Sequence, residues 1–244
     1  MWRFVWKSSI WGRTVSPTEA TLFPERKSRV IAGIFAGAVS LYLFFHPPLF
    51  SEEPNAMFFF REGSASLQKK DYRAAVHNFR IALEKNPRFA RASLGLAQAY
   101  FELGDNARAE ENFRLTLTLE RESKEAMTGL ARVLSSTSRY DEALELLRKA
   151  AATDPGGAEI NFAFGELYQK WGKNNLAVSY YEKVLRASPS HIPSLLGLAE
   201  LYAQSGRYDM AERYVSQASR IDSVRPEIHL ARGRIRLGMA LAST

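Results

Sequence analysis

The sequence predicts an all-α protein built of stacked helical hairpins and preceded by one membrane-spanning helix. Two observations predict this fold class. A 34-residue period repeats five times without a gap between residues 56 and 225, and an uncharged apolar stretch covers residues 30–45. Self-similarity at a fixed period of this length is typical of repeat architectures, so the period determines the interpretation of most of the chain.

The five units share small and large residues at fixed positions. They cover residues 56–89, 90–123, 124–157, 158–191 and 192–225. Position eight is always Gly or Ala, and position twenty is always Ala. Position twenty-four is always large: Phe79, Phe113, Leu147, Tyr181 and Val215. Small residues let two helices approach closely, and the large residue fills the gap between neighbours. Turn signals such as Gly104-Asp105 divide each unit into two short helices, and stacking of the units supplies the stability.

The residues of these units resemble the tetratricopeptide repeat. The fourth unit carries the signature most clearly, and the family tryptophan at position four is absent from all five units. The matching residues of the fourth unit are Phe164, Gly165, Tyr168, Gly172, Ala177, Tyr181 and Pro189. The resemblance implies a right-handed α-solenoid whose first helices line a concave groove, and a function in binding a protein or peptide. The two-carboxylate clamp of chaperone-tail binders is missing, which disfavours a cytosolic chaperone cofactor.

The resemblance also implies which residues face the groove. In the family, contacts come from positions two, five, nine, twelve and thirteen of each first helix. The groove residues expected here are Phe60, Leu94, Gln98, Phe101, Arg132, Phe162, Glu166, Leu196, Glu200 and Gln204. Small residues at position six (Gly95, Gly129, Ala163, Gly197) predict an open groove floor, which suits an extended peptide or a helix. The alternative is that Phe60, Leu94 and Leu196 pack against neighbouring first helices.

Residues 30–50 are predicted to form a transmembrane signal-anchor helix, through which the chain contacts the lipid bilayer. The apolar stretch is long enough to insert, although slightly short of a hydrocarbon core of about 30 Å. A cleaved leader is the alternative, but the 29-residue start and the lack of a small-x-small site disfavour it. Gly33 and Gly37 are spaced for close approach of two membrane helices, which would allow a homodimer through this segment; the alternative is that they only reflect the small residues common in membrane helices.

The residues flanking this segment predict its orientation. Arg26, Lys27 and Arg29 precede the apolar stretch, so the amino terminus is expected in the cytoplasm and the repeats in the periplasm or another extracytoplasmic space. The expected location is the inner (cytoplasmic) membrane. The basic, Trp-rich residues 1–29 place Trp2 and Trp6 at helical spacing, as in segments at a lipid headgroup boundary; a disordered tail is the alternative.

Composition excludes several function classes. The net charge of +7 lies mostly at the two ends of the chain, which is not the pattern of a nucleic-acid interface. There is no cysteine, and the four histidines are scattered without metal-ligand spacing. No nucleophile elbow, zinc-protease motif or phosphate-binding glycine loop is present. We therefore expect no catalytic site, no cofactor and no metal.

Residues 226–244 contain one further predicted helix, from Ile228 to about Ala242. It is either a solvating cap or the start of a sixth repeat. The sequence as a whole predicts a membrane-anchored scaffold that binds a protein partner during assembly of a cell-envelope complex. Three alternatives stay open: a soluble periplasmic or secreted binder after leader cleavage, a repeat module of a longer protein, and an organellar import receptor with cytosolic repeats.

Overall fold

The computed structural model describes residues 55–242, which form eleven α-helices and no strand. The helices are α1 (Ala56–Gln68), α2 (Tyr72–Lys85), α3 (Ala90–Glu102), α4 (Asn106–Leu119), α5 (Lys124–Ser136), α6 (Tyr140–Thr153), α7 (Ala158–Lys170), α8 (Asn174–Ala187), α9 (Ile192–Gln204), α10 (Tyr208–Ile221) and α11 (Pro226–Ala242). This order confirms the all-α repeat fold. The predictions for residues 1–29 and 30–50, including Gly33 and Gly37, lie outside the described residues. Among the helices within residues 55–242, none is both long and apolar enough to cross a membrane.

A tight turn ends the first helix of every pair. In the second pair the backbone N–H of Asp105 donates to the carbonyl of Tyr100 at 2.9 Å, and the same six-residue bond closes the other four turns. The residue before the donor has positive φ in all five: Lys70, Gly104, Ser138, Gly172 and Gly206. Glycine accepts this conformation without strain, whereas Lys70 and Ser138 adopt it at a cost.

The two helices of each pair meet at small residues. The five alanines at position twenty are completely buried, as are Ala97, Ala131 and Ala199 at position eight. The large side chain at position twenty-four packs into the remaining space and is at most 2% exposed in every unit. The predicted roles of these three positions are therefore confirmed.

The prediction of an open groove floor at position six is wrong, because an aromatic ring fills that space. A Cβ atom on Gly95 would lie 2.5 Å from the ring of Phe79, and one on Gly129 would lie 2.3 Å from the ring of Phe113. Where position twenty-four is aliphatic instead, as at Leu147, the following position six is an alanine, Ala163. The small residues at position six therefore accommodate the preceding unit's large side chain.

The packing of the helices determines which face is concave. First helices contact one another along the array (α1 with α3, α3 with α5, α5 with α7, α7 with α9, and α9 with α11), but no two second helices in residues 55–242 contact each other. A stack whose first helices lie closer together than its second helices curves toward the first helices. The concave face is therefore lined by α1, α3, α5, α7, α9 and α11.

Candidate functional site: the concave groove

Two cavities open on the face formed by the first helices. The central cavity, about 810 Å³, lies against α3, α5 and α7 and is lined by residues that include Gln98, Phe101, Glu102, Glu125, Arg132 and Glu159. The C-terminal cavity, about 650 Å³, lies against α7, α9 and α11 and is lined by residues that include Phe162, Glu166, Leu196, Glu200, Leu230 and Arg234. Both volumes are within the range of sites that hold a peptide side chain or small ligand.

The structure divides the ten predicted groove residues into three groups. Gln98, Phe101 and Arg132 line the central cavity. Phe162, Glu166, Leu196, Glu200 and Gln204 line the C-terminal cavity. Phe60 and Leu94 line neither cavity and are partly buried against the core.

Phe60 is held by its neighbours at the amino-terminal end of the groove. Its ring centroid lies 5.0 Å from that of Phe89 and 6.0 Å from that of Phe79. The guanidinium of Arg91 covers the ring at 4.8 Å. Because these contacts occupy the ring, Phe60 contributes to packing as well as to the groove surface.

Arg132 and Glu166 form an ion pair that stands between the two cavities. The pair is bidentate, with Nε donating to Oε2 at 2.8 Å and Nη2 donating to Oε1 at 3.3 Å. The Arg132 guanidinium also lies 5.0 Å from the ring centroid of Phe101. Burial acts to lower the pKa of Arg132, but the carboxylates of Glu166, Glu102 and Glu159 outweigh it and raise that pKa above its ordinary value. One guanidinium therefore lies in the field of three carboxylates.

A second cation at the rim of the central cavity, Lys124, is also paired. Lys124 Nζ donates to Asp154 Oδ2 at 2.7 Å, and this hydrogen bond lowers the pKa of Asp154 below its ordinary value. Glu102, Glu125 and Glu159 are exposed, and none of them has an ion-pair partner within 4.0 Å among residues 55–242. The central cavity therefore has an acidic rim.

The C-terminal cavity is more apolar and has a hydrogen-bonded floor. The hydroxyl of Tyr181 donates to Gln169 Oε1 at 2.7 Å, and Gln169 Nε2 donates to Glu200 Oε2 at 3.0 Å. Burial raises the pKa of Tyr181 well above its ordinary value, so its hydroxyl stays protonated. Leu196 and Leu230 form the apolar wall, and Leu230 is 56% exposed. This exposure leaves a leucine side chain available to a partner.

Several lining residues of the C-terminal cavity are absent from the predicted groove, among them Gln169, Tyr181, Leu230 and Arg234. Leu230 and Arg234 occupy positions five and nine of a sixth first helix, so applying the same offsets to residues 226–242 would have found them. Gln169 occupies position twelve of the fourth unit. Tyr181 belongs to a second helix and reaches the groove because Gly165 and Gly197 leave room for its ring.

The groups that line the groove are suited to binding a ligand. The groove combines apolar surface, amide and hydroxyl groups and exposed carboxylates. In the described part of the chain, no group of three or more acidic or imidazole side chains is arranged to hold a metal ion. The arrangement therefore supports binding of a polypeptide segment.

Comparisons with known proteins agree with this fold. Family models described as tetratricopeptide repeat match residues 60–119, 100–158 and 170–235, which together span more than half of the chain. The fold is similar to that of TTC0263, a thermophilic repeat protein of Thermus thermophilus, with a TM-score of 0.68 and 22% identity over 76% of this chain and 99% of that one. It is also similar to PilW, a widely conserved type IV pilus biogenesis factor, with a TM-score of 0.65 and 25% identity over 77% of this chain and 87% of that one.

A third similar structure is pilF of Pseudomonas aeruginosa, with a TM-score of 0.58 and 22% identity over 74% of this chain and 82% of that one. No curated protein sequence matches the chain significantly. Repeat scaffolds of this kind are generally non-enzymatic. The 34-residue hairpins, the helices that stack in order and the family matches together place this chain in the tetratricopeptide repeat family.

Proposed function

We propose that this protein is a membrane-anchored scaffold whose concave groove holds a segment of a protein partner during assembly of a cell-envelope complex. The observation that carries the binding role is the alignment of two cavities on the face of the first helices, with the exposed Leu230 between polar neighbours at one end. The similarity to PilW, a type IV pilus biogenesis factor, supports the envelope setting.

Photo-crosslinking from defined positions tests the binding role. A benzoylphenylalanine is introduced at Gln98 or Leu230 in the groove, and at Leu115 or Leu176 as matched controls. Leu115 and Leu176 are exposed apolar residues of second helices that line neither cavity. A discrete adduct from the groove positions and none from the controls is expected. Equal adducts from both faces, or none from the groove, would contradict the proposal.

The anchor is the second part of the proposal. Residues 30–50 cross the inner membrane once, the basic residues 1–29 stay in the cytoplasm, and the repeats extend into the periplasm. The uncharged stretch 30–45 and the cations on its amino-terminal side support this orientation. Gly33 and Gly37 then provide a contact between two copies within the membrane.

Membrane extraction and protease access test the anchor. After alkaline extraction the full-length chain is expected in the membrane pellet, and protease added to spheroplasts is expected to cleave at Arg225. A soluble chain whose mass shows the loss of about 50 residues would instead support leader cleavage. Protection of Arg225 in spheroplasts, with cleavage only after lysis, would contradict the orientation.

Helix α11 is proposed to be a solvating cap of the array. In the fifth unit, positions four, seven and eleven of the first helix are the buried residues Leu195, Leu198 and Tyr202. The same positions of α11 are His229, Arg232 and Arg236. A face with these residues is compatible with water, which supports a capping role.

A further inference from the structure

The central cavity has an excess of negative charge at its surface. Its lining includes four carboxylates and three cations. Lys124 is bound to Asp154, and Arg132 is bound to Glu166, a residue of the other cavity. Among the described residues that line this cavity, Lys70 is then the one cation outside an ion pair, beside three exposed glutamates, Glu102, Glu125 and Glu159.

These glutamates surround apolar surface. Phe101, Leu67 and Ile160 also line the central cavity, and the ring of Phe101 already bears a guanidinium on its face. A cation with a hydrocarbon stem fits such a site, because the stem covers the apolar wall while the charged end meets the carboxylates. The glutamates are not grouped to chelate a metal ion in the described residues. This geometry favours an organic cation.

We propose that the segment bound in the groove is basic. It places a lysine or arginine side chain in the central cavity among Glu102, Glu125 and Glu159, while its apolar residues cover Leu196 and Leu230 in the C-terminal cavity. This inference rests on the proposed function and adds the charge of the partner. An acidic segment would meet like charges at three positions, which opposes binding.

Selection from a displayed library of random 12-residue peptides tests the inference. The bait is the full-length chain in detergent. The test variant carries Glu102→Gln, Glu125→Gln and Glu159→Gln. The control variant carries Glu84→Gln, Glu111→Gln and Glu122→Gln, which removes the same charge from exposed residues that line neither cavity. A third variant, Leu196→Glu with Leu230→Glu, blocks the apolar wall.

Peptides rich in lysine and arginine are expected from the unmodified chain. Their affinity, measured by fluorescence polarisation, should fall about tenfold on the test variant and less than about twofold on the control variant, and should weaken as salt is added. Enriched peptides that lack basic residues, or that bind the test variant equally well, would overturn the basic partner. If those peptides still lose binding to the Leu196→Glu/Leu230→Glu variant, the groove function stands. If no selected peptide depends on Leu196 and Leu230, both proposals fail.

Discussion

A single methyl group added at Gly129 is expected to destabilise the array, and a second change at Phe113 is expected to remove most of that effect. A Cβ atom at Gly129 would lie 2.3 Å from Phe113 Cε1 and 2.4 Å from Cζ. Such distances are too short for carbon atoms, and Phe113 is only 1% exposed, so its ring has little room to move. The substitution Gly129→Ala therefore overpacks the junction between the second and third units.

The expected change in the free energy of unfolding of Gly129→Ala combines two opposing effects. Replacing a glycine inside a helix by alanine gains about 0.5–1 kcal/mol, whereas overpacking a core costs about 1–3 kcal/mol. We expect a net loss of about 1–2 kcal/mol for Gly129→Ala. Phe113→Leu alone should cost about 1–2 kcal/mol, because it leaves a cavity. In the double variant the new methyl group occupies space that the ring has left. The resulting leucine and alanine are the combination that Leu147 and Ala163 form between the third and fourth units. The double variant should therefore be no less stable than Phe113→Leu, with a coupling energy of about 1–2 kcal/mol.

Urea unfolding of the four proteins, followed by circular dichroism, measures this cycle. Gly233→Ala is the matched control, since a Cβ atom there has no neighbour within 4 Å and the substitution should stabilise α11 slightly. A rise in stability for Gly129→Ala, like that expected for Gly233→Ala, would contradict the expected clash with Phe113. Effects of the two single substitutions that add without coupling would contradict it as well.

Three further predictions concern the turns, a helix cap and the ion pair of the groove. Ser138→Gly should stabilise the protein by about 1 kcal/mol in urea unfolding, because residue 138 has a φ of 62°; an unchanged midpoint would contradict this. His191 accepts the N–H of Ser194 at the start of α9, and burial lowers its pKa below 6.5. The contribution of neutral His191 to the free energy of unfolding is therefore fully present above pH 6.5 and is lost as pH falls through the folded-state pKa. Between pH 7.5 and pH 5 the melting temperature should consequently fall less in His191→Asn than in the unmodified chain. The partly buried pair Arg132–Glu166 should give a coupling energy of about 0.5–1 kcal/mol in a double-mutant cycle to alanine, measured by urea unfolding, and a value near zero would contradict this expectation.

The buried positions of the repeats could be predicted from sequence because each unit repeats the same contacts. Alanine at position twenty and a large residue at position twenty-four are required by one geometry that occurs five times. The relation between Phe113 and Gly129, sixteen residues apart, has the same origin and is already visible in the sequence. The small residues at position six, taken alone, suggest an open groove floor, because the ring that fills the space belongs to the preceding unit.

The groove was predicted less completely, because the contacts of its residues depend on neighbouring side chains and are not determined by the repeat motif. The period places residues 34 apart on adjacent first helices, so the pairing of Arg132 with Glu166 could have been inferred from spacing and charge. What spacing could not show is that this pair divides the groove into two cavities, or that Phe60 is covered by Arg91. Those outcomes depend on side-chain conformations that differ from unit to unit.

This difference between buried and concave positions bears on how the protein recognises a partner. Substitutions at positions eight, twenty and twenty-four change packing and are limited by a ring or a methyl group on the next helix. Concave positions such as Glu125 and Glu159 are exposed and have no such limit. Glu102, Glu125 and Glu159 line one cavity, where their like charges repel one another, and Arg132 is already paired with Glu166. A cation supplied by a partner removes that repulsion. The electrostatic free energy that the repulsion costs the free protein is then recovered on binding, and it adds to the affinity for a basic partner.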